Sequence, residues 1–237
     1  LVNSTDTTYA RTTAENVRKL TLNQASEADV INAVCDAKVE KSEVQMYVTG
    51  TVGAGSVTAD TYVGGLVGYD DANTFLRIEN ATNKASVTAK TGYAGGVISA
   101  SRKSNNKILT SNNSGTVTAK EVAGGIVGEN REDGKVMDCT SDATVTATNE
   151  TGGIVGNNLG LISGCASEGN VNTDELNTTM DLGGVDIGTL NLTKHVVDRN
   201  DMGGIAGTSS GIIKECVNHG TIGFSHTGYN AGGIAGR

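Results

Sequence analysis

Gly152-Gly153-Ile154-Val155-Gly156-Asn157-Asn158-Leu159-Gly160-Leu161-Ile162-Ser163-Gly164-Cys165 is the stretch whose reading decides the fold. Its apolar residues come in pairs broken by Gly, too short for a helical turn to build on and well suited to short strands meeting at corners. The opening Gly-Gly pair followed by two apolar residues recurs at Gly64, Gly95, Gly124, Gly203 and Gly232. From first Gly to first Gly the spacings are 31, 29, 28, 51 and 29, so four of five intervals agree within three residues. A fixed period of that size is the signature of stacked repeats.

Other columns run in phase with the Gly-Gly pair. Val57, Val87, Val117, Val145, Val171 and Ile222 form one. Nine positions earlier stand Val48, Ile78, Ile108, Val136, Ile162 and Ile213; six earlier, Thr51, Ala81, Ser111, Cys139, Cys165 and Cys216. Two positions earlier lie Gly55, Ala85, Gly115, Ala143, Gly169 and Gly220. Each column keeps one size class, as expected when equivalent side chains touch their counterparts one layer away. Three strand-like pieces per coil of about 29 residues, stacked at the ~4.8 Å strand spacing, predict an all-β parallel β-helix of about six coils. A propeller blade needs four strands in ~40 residues.

Composition agrees. Gly numbers 33 and Pro is absent, against a usual Gly share of about 7%. With two Phe, six Tyr and no Trp, the core must come from Val, Ile, Leu and Ala. A net charge of −8 leaves no basic face for phosphates and excludes nucleic acid as a partner. No run approaches the ~18 apolar residues of a membrane span.

The quoted stretch resembles the GLUG-type repeat, Gly-Gly-Leu-Val-Gly-Asn followed by Gly-x-Ile-x-x-Cys, and Gly203 to Cys216 resembles it too. The resemblance covers Gln45 to Arg237, with looser corners after Gly64, Gly95 and Gly124. Similar repeats occur in large secreted or surface-anchored bacterial proteins, including adhesin-like proteins and immunoglobulin A-cleaving zinc metallopeptidases. It implies an extracellular, bacterial cell-surface setting and a host glycoprotein or glycan as partner, immunoglobulin A among them.

Residues 1–44 are expected to form an N-terminal arm and a capping helix. Ser26-Glu27-Ala28-Asp29 reads as a capping box, and Val30, Ile31, Val34 and Cys35 fall on one helical face. Residues 45–237 form the β-helix. The chain stops at Gly232-Gly233-Ile234-Ala235-Gly236-Arg237, partway through a coil, so the solenoid is expected to be truncated there. The interval of 51 carries about 22 residues beyond the usual period, an insertion at 173–202 in which Val185, Ile187, Leu190 and Leu192 alternate like a hairpin. Insertions at solenoid corners are where binding faces form. The candidate binding residues are therefore Asp181, Asp186, Lys194, His195, Asp198 and Arg199; a tolerated surface loop is the alternative.

For catalysis the sequence offers no candidate. His195, His219 and His226 are scattered with no HExxH, and no G-x-S-x-G elbow is present. Cys139, Cys165 and Cys216 share a column without CxxC pairs or neighbouring His, so they read as buried fillers and not as zinc ligands. Acids gather at corners (Asp70-Asp71, Glu129 with Glu132-Asp133, Asp174-Glu175) and form no column of the kind a polysaccharide-cleaving β-helix needs. Outward hydroxyl pairs, Ser56/Thr58, Ser86/Thr88, Thr116/Thr118 and Thr144/Thr146, make an ordered strip that serves a glycan or simply a solvated strand. The expectation is a monomeric, non-catalytic surface module without metal or cofactor. An adhesin stalk without ligand and a polysaccharide-active β-helix are the alternatives.

Overall fold

The structure is a computed structural model and describes residues 45–70, 75–101, 106–173, 199–223 and 229–237. It is an all-β parallel solenoid of about five turns, with no helix among the described residues. The expected N-terminal helix lies outside them.

One coil shows the plan. It runs Phe75–Asn83, Ser86–Ala89, Tyr93–Gly95 and Ile98–Ser101. Each strand pairs in parallel with its equivalents above and below, giving four sheets of ten, four, six and five strands. The sequence columns are the observed registers: Val57 pairs with Val87, Val87 with Val117 and Val117 with Val145, and single bridges carry the column on to Val171 and Ile222. The insertion does not shift the ladder, because Gly152 pairs with Gly203 across it.

The structure refines the three-piece coil in two places. The Gly-Gly segment is two strands meeting at a corner, such as Val122–Gly124 and Val127–Asn130. The Ile/Cys piece is bent. Its bend sits in the left-handed region at Asn80, Thr110, Asp138, Gly164 and Glu215, one residue per coil, with φ between 46° and 64°. Thr and Glu there bear a cost of about 1 kcal/mol or more that Gly would avoid. A short cap offsets part of it. The hydroxyl of Ser111 and the thiols of Cys139, Cys165 and Cys216 each donate back across the bend to the carbonyl two residues earlier, at 2.8, 3.2, 3.4 and 3.2 Å.

The interior holds two apolar stacks. Ile78, Ile108, Val136 and Ile162 face Val97, Ile126, Ile154 and Ile205 in one; Val87, Val117 and Val145 meet Ala94 and Ala123 in the other. Each fully buried Val or Ile contributes roughly 1.5–3 kcal/mol of transfer free energy.

Why the motif needs two glycines follows from the packing. A Cβ on the first Gly of each pair would lie 1.8–1.9 Å from the carbonyl oxygen three residues on, as with Gly124 and Val127. A Cβ on the second would lie 2.0–2.3 Å from the carbonyl of the equivalent Gly in the following coil. It would also strike a polar side chain of one column: Asn83 for Gly65, Asn113 for Gly96, Ser141 for Gly125, Ser167 for Gly153 and Asn218 for Gly204. The glycine column is the space into which the Asn/Ser column reaches.

Candidate functional site

Of the candidate binding residues, Asp181, Asp186, Lys194, His195 and Asp198 lie outside the described residues. Arg199 is described, and it is 3% exposed at the base of the insertion. Its Nη1 donates to Asn172 Oδ1 at 2.9 Å. The same oxygen accepts the Ala147 amide at 2.9 Å, and Asn172 Nδ2 donates to Thr151 Oγ1 at 2.9 Å. Asn172 itself is left-handed, with φ 51°. The two ends of the insertion are thus tied to each other and to Ala147 and Thr151 of the solenoid by a buried polar network. Buried groups satisfied in this way hold one geometry, because breaking any link leaves a donor or acceptor stranded.

Two buried ladders stiffen the corners. At one, Asn83 Nδ2 donates to Asn113 Oδ1 at 2.8 Å, and Asn113 Nδ2 to the Gly125 and Gly115 carbonyls at 2.8 and 3.0 Å. At the other, Ser101 donates to Asp70 at 2.9 Å, Asn130 to Asn158 at 2.7 Å, and Asn158 to Ser209 at 3.0 Å. Sequence reasoning missed both. Their signal was present in the period: Asn83, Asn113, Ser141, Ser167 and Asn218 stand four before the Val column, and Asp70, Ser101, Asn130, Asn158 and Ser209 six after each first Gly.

Cys139, Cys165 and Cys216 are free, and each stands next to its neighbour in the column. The neighbouring Cys165 holds the Cys139 thiol below its ordinary pKa. Cys165, beside Cys139 and desolvated, is pushed up to about 12. Cys216 is pushed up by its neighbour Cys165 and by burial. Raised in this way, the Cys165 and Cys216 thiols stay protonated at neutral pH.

Among the corner acids, Asp70 is a buried ladder member and Glu129 pairs with Arg131 at 2.9 Å. Among the described residues no group of three or more His, Cys, Asp or Glu could hold a metal ion. His219 faces Glu168 at 2.9 Å on the exposed surface, a pair with no nucleophile in the contact. The hydroxyl strip keeps its register, Ser56 on Ser86 and Thr58 on Thr88 on Thr118 on Thr146. One of its contacts is lateral, Thr116 Oγ1 to Ser86 Oγ at 3.1 Å. A shallow recess of about 610 Å³ lies at another corner, between Lys135, Leu159, Leu161 and Ile212 of successive coils. Two aromatic columns meet elsewhere: Tyr62 packs on Tyr69, with ring centroids 4.6 Å apart, and on Tyr93 at 5.4 Å.

With this geometry in place, comparison with known families gives one match. Residues 121–146 match the family model described as the GLUG motif. That segment is a GLUG motif. It spans one full circuit of the solenoid, from Val122–Gly124 through the Gly corner, Val127–Asn130, Lys135–Met137 and Thr140–Ser141 to Val145–Thr146. No curated protein and no solved structure matches the chain. Within the matched segment the Gly124-Gly125 pair meets the next coil, at Gly156 N and Gly153 O. The described residues form a β-solenoid that carries a GLUG motif at residues 121–146.

Proposed function

We propose that this chain is an extracellular module of a bacterial cell-surface protein, a rigid GLUG β-helix that displays a recognition segment to a host protein or glycan. The observation that carries the reading is the buried Thr151–Asn172–Arg199 network. A loop serving only to connect two strands needs no satisfied, 3%-exposed arginine at its root, whereas a segment held for binding loses less freedom on association if its ends are fixed. The solenoid supplies the fixed frame, since its register runs unbroken past the insertion. In one of the parents that the GLUG resemblance leaves open, a zinc metallopeptidase acting on immunoglobulin A, the module would assist capture of substrate while cleavage takes place elsewhere; in the other, an adhesin-like protein, it would itself make the attachment.

The test uses the 237-residue chain and a variant in which 174–198 is replaced by a short Gly-Ser link. Both are assayed by surface plasmon resonance against immunoglobulin A and against an array of host glycans. Binding by the parent chain that is lost in the variant is the expected result. Binding that survives the replacement refutes the assignment of the segment. The absence of any saturable ligand for either protein makes the module a stalk.

A further inference from the structure

The whole chain has eight aromatic side chains, and three of them converge on one outer face. Tyr62 and Tyr93 are register partners in adjacent coils. The Gly64-Gly65 corner folds the chain so that Tyr69, on the following strand, returns to the same place. The result is a stack of three rings: Tyr69 on Tyr62 at 4.6 Å and 32°, and Tyr62 on Tyr93 at 5.4 Å and 21°. The core does not need them, because their inward neighbours Val63 and Ala94 fill it. Tyr62 and Tyr69 remain 41% and 38% exposed.

The columns that carry the rings turn acidic in the next coils. Tyr93 is followed by Val122 and then Glu150. On the strand beyond the corner, Tyr69 is followed by Ala100, and Glu129 stands two residues after Val127, the partner of Ile98. With Glu121 beside Val122, three carboxylates lie within one or two rungs, each ~4.8 Å, of the stack. Their field reaches the rings: the Tyr93 hydroxyl is pushed up by burial and then by Glu129, Tyr62, Glu121 and Glu150. The Glu150 carboxyl is also pushed up, by burial and by Asp201 and Glu129, with Arg237 opposing. It is a carboxylate short of positive charge. Two cations of the chain stand near these carboxylates, Arg237 toward Glu150 and Arg131, whose Nε lies 2.9 Å from Glu129.

Ring faces carry negative potential, so carboxylates beside them add to the same sign. A cation on an apolar stem gains from both, along its stem and at its head. A neutral sugar would gain the stacking and nothing from the field, and an anionic glycan would be repelled. We propose that the Tyr69–Tyr62–Tyr93 stack, with Glu129 and Glu150, is a docking site for arginine or lysine side chains of a basic protein segment. This rests on and deepens the recognition reading but uses no residue of 174–198, so replacing that segment leaves every residue of this site in place.

A fluorescein-labelled hexa-arginine peptide titrated with the full chain, followed by anisotropy, tests the proposal, with hexa-glutamate and chitohexaose as competitors. Saturable binding is expected, weakened about threefold to tenfold by Tyr62→Ala or Tyr69→Ala, the range of partly exposed cation–π contacts. Tyr62→Phe keeps the ring and should stay within about twofold of the parent chain. Glu129→Gln should weaken binding and flatten its salt dependence. Urea unfolding checks each variant, and Tyr69→Leu, which keeps the apolar bulk and removes the π face, replaces the alanine if that variant fails to fold. Peptide binding indifferent to loss of the rings would reduce the site to the general acidity of the chain and overturn the proposal. Absence of peptide binding, or competition by chitohexaose that depends on the rings, would overturn it as well, the latter in favour of a glycan platform.

Discussion

Replacing Gly125 with Ala puts the packing account at greatest risk. The new Cβ would lie 2.0 Å from the Gly153 carbonyl oxygen and 2.3 Å from Ser141 Oγ. Ser141 can rotate. The carbonyl cannot, because the neighbouring Gly125 amide donates to the Gly152 carbonyl at 3.1 Å and holds the two coils in register. Methyl insertion into packed structure costs typically 1–3 kcal/mol, and a rigid backbone obstacle puts this site at the top, about 3 kcal/mol. For a chain of this size each kcal/mol lowers Tm by roughly 2–4 °C, so the expected loss is about 6–12 °C. Gly233→Ala is the control. It occupies the same register in the last coil and has nothing within 4 Å of its Cβ position. It should be neutral or stabilising by up to ~1 kcal/mol, as Gly→Ala is where space and backbone allow. The assay is urea unfolding followed by far-UV circular dichroism, with thermal melts alongside. A double variant, Gly125→Ala with Ser141→Gly, separates the two obstacles and should regain little. If Gly125→Ala and Gly233→Ala behave alike, the coil-to-coil explanation of the Gly-Gly column is wrong. If Ser141→Gly restores stability, the polar side chain is the obstacle and the backbone is not.

The other expectations concern single buried or strained groups. Asn113→Ala removes an amide that bonds Asn83, Gly115 and Gly125 and should cost about 3 kcal/mol, at the upper end for stranded buried partners; a loss under ~1 kcal/mol in the urea series would mean the ladder is decorative. Ser167 sits in the same column but its buried hydroxyl has no hydrogen-bond partner, so Ser167→Ala should be neutral or stabilising by about 1 kcal/mol, and a clear loss would reveal a partner. Thr110→Asn places a residue that tolerates left-handed backbone where φ is 46° and should raise the urea midpoint by the equivalent of about 0.5–1 kcal/mol. The Glu150 pKa is raised in the fold, so the folded state binds its proton more tightly than the unfolded chain. Stability is therefore lost as pH rises from the unfolded-chain pKa through the folded one, and the loss is complete above it. Glu150→Gln should raise Tm at pH 7 and change it little at pH 4, and an equal effect at both values would show that charge is not the cause.

What the sequence disclosed and what it hid divide along a physical line. Spacing alone located the coils, the Val and Ile columns and their register, because apolar contact between layers forces like to recur above like. It located the cysteines in one column but not their task. The partner of a Cys or Ser thiol or hydroxyl is a carbonyl two residues back, visible only once the left-handed bend at Thr110, Asp138, Gly164 and Glu215 is known. Nothing about Thr or Glu announces positive φ. The corner within the Gly-Gly segment was equally silent, since the apolar pair after the glycines reads as one strand. The Tyr stack needed that corner: Tyr62 and Tyr93 share a column that the period shows, while Tyr69 joins them only because the chain turns at Gly65. The insertion was legible as a length, and Arg199 as one of its charges; that Arg199 faces inward onto Asn172 was not.

These particulars constrain where a binding site could sit on this solenoid. Most inward positions already answer to another. The second glycine of a pair makes room for an Asn or Ser, Asn113 reaches the Gly125 carbonyl, and the Cys or Ser caps the bend. A substitution at a bonded position of this kind is felt by two coils. Outward positions are not held to one residue type by the coils above and below, which is why a column can begin as Tyr62 and Tyr93 and continue as Val122 and Glu150 with no loss of register. Specific chemistry is therefore confined to two kinds of place: outward columns, where neighbouring coils bring unlike side chains within one rung of each other, and corners, where chain length is free. The Tyr and Glu face is the first kind and the insertion rooted on Asn172 and Arg199 the second. A ligand long enough to span several coils would read the columns in sequence, and its affinity would then fall in steps as single outward residues were exchanged, with the melting temperature unchanged.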